Sequence, residues 1–288
     1  FLGGLVAGLM IVGGLLAARG RDGAWTMVQR AADLAGLPLL GLGMLLLWLD
    51  LANGWNAHRF YLTLQVTSPM SWGSWVLLLC FAVLGARFAH TGSQLALKRP
   101  VLPKRLGAGI GYASFVLGLA LGTYTGLLLG TIGARPLWST PVLPALFLAS
   151  GLGAGLAFLA PFARGALRRR LLPFTVGVAL AELLALGTYL LVLDRGSDAA
   201  RTGVAVLLGG EYTAAFWLLV VFGGLIVPVG GEVAELLLHR AARVGASVRG
   251  AGAAALERSA PLVLAALTLL GSLTLRWVIV YGGQLTGI

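Results

Sequence analysis

The sequence predicts an all-α integral membrane protein, and three observations carry that prediction. Of 288 residues, 58% are hydrophobic and only 11% are charged, and the mean hydropathy is +0.92. Such a composition cannot give a soluble domain its polar surface. The apolar runs are continuous and lack the alternation of a β-barrel, so the spanning segments must be helices. The basic residues behind the net charge of +11 lie in short loops, where they set the orientation in the membrane, so the charge does not indicate binding to nucleic acid.

Eight apolar segments are each long enough, at about 20 residues, to cross the hydrocarbon core of the lipid bilayer. They lie near residues 1–18, 34–52, 72–90, 107–133, 142–163, 174–193, 213–238 and 261–283. Eight spans joined by short loops pack most simply as two four-helix bundles, in a single domain over residues 1–288. The abrupt start at Phe1 leaves two expectations open, further residues upstream or a cleaved signal peptide.

Lysine and arginine are distributed unevenly between the two sides of the predicted spans. Sixteen of them, Arg87 included, are assigned to segments that follow the odd-numbered spans. Only Arg59, Arg135, Arg195 and Arg201 follow the even-numbered spans. Because the loops richest in Lys and Arg stay in the cytoplasm, this count predicts that both termini are periplasmic.

Glycines recur at a spacing that favours close helix packing. They are Gly118, Gly122, Gly126 and Gly130 on the fourth span, followed by Gly151 and Gly155 on the fifth. Small residues four apart form a flat face that another helix can approach closely, so we interpret them as packing surfaces. Tyr124 lies roughly 200° around the helix from Gly122 and is expected to point away from that contact.

Few polar residues lie within the spans, and these are the candidates for function. Asp50, in WLDLANGW, ends the second span on the outer side, where a carboxylate needs a partner or a task; a local interfacial cap explains it equally well. Tyr124, in GTYTGLLLG, lies in the outer half of the fourth span, although a buried tyrosine commonly just bonds a backbone carbonyl. Arg276 and Glu182 lie midway along their spans and are expected to face the bundle interior, as partners for each other or for Asp50.

A polar and aromatic stretch, QVTSPMSWGSW, covers residues 65–75 ahead of the third span. The residue before Pro69 disfavours helix, so the loop ends there and Ser71 is predicted to cap the helix. Trp72 and Trp75 suit the membrane interface because each has an apolar body and a polar tip. A capped helix with an aromatic belt accounts for the residue types, but not for the full string.

Histidine and cysteine are scarce, which limits the redox centres that the chain itself can hold. Membrane cytochromes ligate haem with histidines on facing helices, but His90 and His239 lie at cytoplasmic helix ends and His58 lies in an outer loop. A single cysteine, Cys80, cannot ligate an iron–sulfur cluster. We therefore expect no haem and no metal in this chain, and we place any iron–sulfur centre in a partner.

Five stretches point to a known family when they are taken together. In sequence order they are FLGGLVAG, WLDLANGWNAHRF, TSPMSWGSWVLLL, YTGLLLGTIGARPLWSTPVLPALFLASGLGAG and LRWVIVYGGQ. They resemble the membrane subunits of the polysulfide reductase family, the NrfD-like proteins. The resemblance implies a subunit of a respiratory oxidoreductase complex in the bacterial inner membrane. Such a subunit anchors a periplasmic four-cluster iron–sulfur protein, with a molybdopterin catalytic subunit, and exchanges electrons with the quinone pool without haem.

The same resemblance implies a binding site for menaquinone or ubiquinone. It makes Tyr124 a hydrogen-bond donor to a quinone oxygen and Asp50 the acidic group near the same headgroup. The candidate set is completed by Ser71, Trp72, His58 and Arg276. The start of the third helix suits a quinone site because its free backbone N–H groups stabilise a quinone oxygen that gains negative charge.

The residues alone leave a second function open, a secondary transporter or a proton-translocating module. Transporter sites lie near the midplane on broken helices, and Pro228 with its neighbouring glycine pairs is a candidate for such a break. The site would need paired polar residues at one depth, and only Glu182 and Arg276 qualify. A proton path would need a chain of carboxylates across the bilayer, and Asp50, Glu182 and Glu232 are too few for one without bridging water. Glu232 and Glu235 are expected to be solvated, since they lie near the cytoplasmic end of the seventh span.

Overall fold

The computed structural model describes residues 1–20, 25–51, 65, 68–98, 103–163, 165–243 and 251–285. Within these ranges the chain forms helices and no strand, which confirms the all-α prediction for them. The α-helices are α1 (Leu2–Ala18), α2 (Trp25–Asp50), α3 (Pro69–Ala96), α4 (Lys104–Gly130), α5 (Leu143–Leu159), α6 (Ala166–Asp194), α7 (Asp198–Leu208), α8 (Val227–Arg243) and α9 (Ala251–Leu285). A 3₁₀ turn, Ala160–Phe162, extends α5, and a π-helical segment, Ala215–Ile226, leads into α8.

Seven of these helices, with the π-helical segment counted as part of α8, are long and apolar enough to cross a membrane. The chain is thus a multi-pass membrane protein. Helix α1 is also apolar but shorter, at 17 residues, so the described part of the sequence matches the predicted eight spans only in part. Several helices extend past the predicted segments into polar sequence. Helix α2, for example, begins at Trp25 rather than near residue 34, and its added turns include Asp33, which is paired with Arg87 inside the bundle.

The helices group into two rings of four. In the first bundle α1 packs on α2, α2 on α3, α3 on α4 and α4 on α1. In the second, α5 packs on α6, α6 on α8, α8 with its π-helical segment on α9, and α9 on α5. This grouping agrees with the predicted pair of four-helix bundles. Helix α1 also packs along α5, and it therefore lies at the seam between the bundles.

Glycines bring the backbones of α1, α4 and α5 into direct contact at this seam. A Cβ at Gly151 would lie 2.7 Å from the Gly4 oxygen, and one at Gly155 would lie 2.6 Å from the Gly8 Cα. On α4, a Cβ at Gly118 would lie 2.9 Å from the nearest α1 backbone oxygen. Any larger residue at these points would push the helices apart, so the predicted packing role of the glycines is confirmed here.

A buried ion pair ties together the four helices of the first bundle. The Arg87 guanidinium of α3 pairs with the Asp33 carboxylate of α2, and both side chains are buried. Thr91 donates a hydrogen bond to the other Asp33 oxygen at 2.8 Å. Arg87 also donates to Ser114 of α4, which donates to the Met10 oxygen of α1 at 3.0 Å. The assignment of Arg87 to a cytoplasmic segment is therefore wrong, because these partners stabilise the guanidinium inside the bundle.

The two ends of the bundles differ in charge, and we name them accordingly. The Tyr124 end holds Tyr124, the last residue of α2 and the first turn of α3; the basic end holds the first residues of α4, α6 and α9. Arg87 and Arg168 are buried, and subtracting these two from the sixteen counted above leaves fourteen against four. The charge asymmetry behind the predicted orientation is therefore retained.

At the Tyr124 end, the segment between α4 and α5 closes the second bundle. Trp138 donates its indole N–H to the Ile279 oxygen of α9 at 2.9 Å, and Tyr189 of α6 donates its hydroxyl to the Leu137 oxygen at 2.7 Å. The short helix α7 packs on α6 and α9 and is capped at its start by Ser197. Sequence analysis did not predict α7, because a search for long apolar runs passes over a short amphipathic helix.

The stretch around Pro228 stays helical. Residues Ala215–Ile226 wind as a π-helix, and the Val227 N–H donates to the Phe222 oxygen five residues earlier. Proline lacks an N–H, and its ring crowds the carbonyl four residues before it; the wider π turn accommodates both. The prediction that the helix breaks at Pro228, as a transporter site would need, is therefore wrong.

Candidate functional site

Tyr124 lies directly against the start of α3. A Cβ at Gly73 would lie 1.9 Å from both the hydroxyl oxygen and the Cζ of Tyr124, so only glycine leaves room for this ring. The Tyr124 side chain is partly buried, and its hydroxyl has no hydrogen-bond partner among the described residues. Packing therefore holds the phenol in place, while its O–H remains available to another molecule.

The period of α4 explains why Tyr124 faces α3. Gly118, Gly122 and Gly126 meet α1 and α5, and a residue two positions after Gly122 points roughly 200° away from them. The predicted direction of Tyr124 is thus confirmed. Its contact residue, Gly73, was missed by sequence analysis, although a glycine between tryptophans in MSWGSW was a usable signal.

Helix α3 begins at Pro69, two residues before the predicted cap. Proline suits the first helical turn, where its missing N–H costs nothing, and Ser68 precedes it with an extended backbone and no side-chain cap bond. Ser71 lies inside the helix, so the prediction that it caps α3 is wrong. Its hydroxyl instead accepts the backbone N–H of Gln65 at 3.1 Å, which ties the preceding segment to α3.

The other site residues predicted for this end lie at the surface or outside the described ranges. Trp72 is 59% exposed, as expected of an interfacial tryptophan. Asp50 is exposed as the last residue of α2, and no described contact joins it to Tyr124. His58 falls within residues 52–64, which lie outside the described residues. The contact that the structure shows is therefore between Tyr124 and the turn around Gly73.

Arg276 lies in the second bundle and faces the seam. Its guanidinium donates to the Ser150 hydroxyl at 3.1 Å, to the Ser272 hydroxyl at 2.7 Å and to the Phe147 oxygen at 2.9 Å. Glu182 of α6 lies close enough to interact electrostatically with Arg276, and both side chains are buried. The expectation that these two charged side chains face the interior is confirmed. This position separates Arg276 from the tyrosine contact in the first bundle.

A cavity of about 230 Å³, the seam cavity, lies between the bundles near the Tyr124 end. Arg276 of α9 and Thr125 of α4 line it together with Phe1 and Gly4 of α1. The Thr125 hydroxyl oxygen is buried and has no hydrogen-bond partner within the described residues. Because an unsatisfied buried hydroxyl is costly, the cavity suits a polar guest. Neighbouring residues of α4 thus present two hydroxyls, Tyr124 toward α3 and Thr125 toward the seam.

Two carboxyls near the basic end are paired rather than solvated. Arg168 of α6 donates to Glu235 of α8 at 3.1 and 3.3 Å, and its guanidinium lies 3.9 Å from Glu232. The Glu232 and Glu235 side chains are only 13 and 19% exposed. The expectation that both are solvated is wrong, because the crossing of α6 and α8 is a tertiary contact that charge spacing along the sequence does not reveal.

Metal-ligating residues do not cluster in the part of the protein that the structure describes, where no three histidine, cysteine, aspartate or glutamate side chains come together. Cys80 is buried in the first bundle, and the His90 ring nitrogen lies 2.9 Å from the Gln94 amide nitrogen on the same helix. The described polar groups instead suit the binding of a small polar headgroup near the Tyr124 end. Fold and site together define a multi-pass helical membrane protein with a candidate site at the end of its first bundle.

Comparison with known proteins places the protein within this class. The family described as "Polysulphide reductase, NrfD" matches residues 1–288, and the chain belongs to that family. It is 32% identical to Protein NrfD of Escherichia coli (strain K12), over 99% of this chain and 92% of that protein. It is 29% identical to the polysulfide reductase C subunit of Wolinella succinogenes, over 99% and 91%. The Protein NrfD homolog of Haemophilus influenzae is 26% identical, over 90% and 83%. The resemblance inferred from the sequence motifs is therefore confirmed.

Proposed function

We propose that this chain is the membrane anchor and quinone-reactive subunit of a respiratory oxidoreductase complex. In this role it exchanges electrons between the membrane quinone pool and a periplasmic iron–sulfur subunit, without haem. The observation that carries the proposal is the Tyr124 hydroxyl, which has no partner among the described residues and is held against Gly73 at one end of the spans.

The residues at the Tyr124 end fit a menaquinone or ubiquinone headgroup. A quinone presents two carbonyl oxygens and takes up two electrons and two protons when it is reduced. Tyr124 offers a free O–H donor to such an oxygen. Because Gly73 has no side chain, it leaves room for the phenol at this position. In this proposal Asp50, which is exposed as the last residue of α2, exchanges protons with the quinone headgroup. The exposed indole of Trp72 suits a position at the membrane interface and would anchor this end of α3 there.

In the proposed complex, partner subunits hold the redox centres for which this protein lacks ligands. The one cysteine in the sequence, Cys80, is far fewer than the four that iron–sulfur clusters usually need. One relative is named as a subunit of a polysulfide reductase, and we infer that this protein likewise assembles with other subunits. The expected partners are a four-cluster iron–sulfur subunit and a molybdopterin catalytic subunit, with the complex in a bacterial inner membrane.

Purification of the tagged protein from its host membranes tests the assignment of the redox centres. We expect iron and acid-labile sulfide in a co-purifying subunit, and no haem in a pyridine haemochrome spectrum of the membrane subunit, because the sequence predicts its three histidines at span ends or in a loop, where we expect no facing pair of haem ligands. The control is the same protein expressed without neighbouring genes, which should lack iron altogether. Stoichiometric haem b in the isolated protein would refute the proposal.

The proposal places the Tyr124 end at the periplasmic face, on the strength of the lysine and arginine count. Reporter fusions test this orientation. Alkaline phosphatase joined after Ile288 should be active, whereas the same enzyme joined after Lys98, near the basic end, should be inactive. A fluorescent protein that matures only in the cytoplasm should give the opposite pattern at both sites. Fluorescence after Ile288 would show that the Tyr124 end faces inward and that the partner docks elsewhere.

A further inference from the structure

Two arginines of the first bundle each leave a buried nitrogen without a partner. Among the described residues, the Nε atoms of Arg30 on α2 and Arg87 on α3 are buried and have no hydrogen bond. Arg87 is paired through its other nitrogens with Asp33, which follows Arg30 by one turn of α2. No described hydrogen bond or ion pair involves Arg30. Arg30, Arg87 and Asp33 together therefore carry one excess positive charge.

The depth of Arg30 matches the level of lipid headgroups. Arg30 and Asp50 are 20 residues apart on α2, which corresponds to roughly 30 Å along a helix axis. The hydrocarbon core of a bilayer is also about 30 Å thick. With Asp50 at the membrane surface of the Tyr124 end, Arg30 lies at the opposite edge of the hydrocarbon core, where the phosphates of the other leaflet begin.

The last turns of α3 continue a polar face toward α2. The two helices pack on each other, and Thr91 faces α2 because it donates to Asp33. Gln94 lies one turn after Thr91 on the same side of α3, and its amide nitrogen is 2.9 Å from the His90 ring nitrogen. Lys98 follows the end of the helix and is exposed. The groove between the first turns of α2 and the last turns of α3 is thus polar and basic.

Arg30 differs from other arginines at the basic end. Arg105, Arg169 and Arg170 are exposed, whereas Arg30 is half-buried. An arginine that only reaches toward water would place its whole charged head in the solvent, but Arg30 keeps its Nε buried. A guanidinium presents N–H groups side by side, and a phosphate accepts two of them at once. A phosphate on Arg30 would therefore satisfy the buried nitrogen and balance the charge.

Apolar surface adjoins this groove on the side toward the membrane centre. Leu34 and Pro38 follow Arg30 at intervals of four residues on α2; Leu34 is half-buried and Pro38 is exposed. On α3, Phe88 is 37% exposed. A free anion has no groups to place on this surface, whereas the acyl chains of a phospholipid cover it. Clusters of lysine and arginine also attract anionic lipids in particular, and most of the lysines and arginines are predicted at this end.

We propose that the groove between the first turns of α2 and the last turns of α3 binds an anionic phospholipid. Its phosphate accepts hydrogen bonds from Arg30, and its acyl chains lie on the apolar surface toward the membrane centre. The lipid supplies the negative charge that Asp33 alone does not provide for the two arginines. This site lies at the basic end, away from Tyr124, and it does not depend on the proposed quinone function.

The experiment uses the protein purified in detergent with any partner subunits still attached. Native mass spectrometry measures the binding of phosphatidylglycerol, and of phosphatidylcholine with the same acyl chains. The wild-type protein should bind phosphatidylglycerol more tightly. Arg30→Gln should weaken that binding on the order of tenfold, as expected for loss of a hydrogen bond between charged groups, and Arg30→Lys should weaken it less. The matched control is Arg105→Gln, which changes an exposed arginine on the first turn of α4 and should bind as the wild type does.

Thermal unfolding separates a lipid site from a purely structural role of Arg30. Without added lipid, Arg30→Gln should unfold at the wild-type temperature, and phosphatidylglycerol should stabilise the wild type but not this variant. The inference would be overturned if the wild type shows no preference for phosphatidylglycerol, or if Arg30→Gln and Arg105→Gln lose binding equally. Inorganic phosphate that stabilises the wild type as much as the lipid would show a site for a free anion instead. If Arg30→Gln does not fold, Arg30→Lys decides: weaker binding supports the site, and wild-type binding contradicts it.

Discussion

Tyr124→Phe is expected to cut electron exchange with the quinone pool by about 10²–10³-fold, the range typical for loss of a positioned donor to an oxygen that gains negative charge. The change removes only the hydroxyl, and that hydroxyl has no described partner whose loss would disturb the fold. The ring should still pack on Gly73, so assembly of the complex should stay normal. Steady-state quinol oxidation in membranes, normalised to the amount of this subunit on blots, measures the effect.

Tyr112→Phe is the matched control for this variant. Tyr112 lies on the same helix, twelve residues and roughly 18 Å before Tyr124 along the axis, and it is 56% exposed. We expect wild-type turnover from it, because the hydroxyl lost there serves no proposed step. Equal rates for Tyr124→Phe and Tyr112→Phe, at equal quinol affinity, would show that the site lies elsewhere.

Asp33→Leu is expected to destabilise the first bundle by about 3–5 kcal/mol, the usual cost of leaving one member of a buried ion pair without its partner. The Arg87 guanidinium would remain buried, and Thr91 would lose the oxygen to which it donates. Thermal unfolding of the purified protein in detergent, followed by size-exclusion chromatography, measures the loss.

Two further variants isolate the ion pair as the cause. In Asp33→Leu/Arg87→Met both charges are replaced by apolar side chains, and this double variant should recover most of the lost stability. Asp198→Asn changes an exposed ion pair with Arg201 and should leave unfolding unaltered, since solvent screens that pair. A double variant as unstable as Asp33→Leu alone would mean that packing volume, and not the uncompensated charge, sets the cost.

Much of the architecture could be predicted from the sequence because long apolar runs and glycine spacing are local signals. The helical class, the close approach of α1 to the glycines of α5 and the direction of Tyr124 all follow from periodicity along one helix. Arg276 and Glu182 were also predicted to face the interior, since a charged side chain in a membrane span has few alternatives.

The remaining features depend on which helices cross, and a single sequence carries little information about that. Arg87 was assigned to a cytoplasmic segment because its partner Asp33 lies 54 positions earlier in the sequence. Glu232 and Glu235 were expected to be solvated for the same reason, as their partner Arg168 is on another helix. Ser71 was predicted as a cap because the preference of Pro69 for a first helical turn was not considered.

The Tyr124 hydroxyl, positioned by Gly73, is where we propose that this protein meets the quinone. The most direct test compares Gly73→Ala with Gly85→Ala, two glycine substitutions on the same helix. A Cβ at Gly73 would lie 1.9 Å from the Tyr124 hydroxyl oxygen, whereas one at Gly85 meets nothing within 4 Å. The measurement is the redox change of the partner's clusters by electron paramagnetic resonance after quinol is added to oxidised membranes, or quinone to reduced ones. We predict a slow response from Gly73→Ala and a wild-type response from Gly85→Ala; equal responses from two assembled variants would contradict the proposed site.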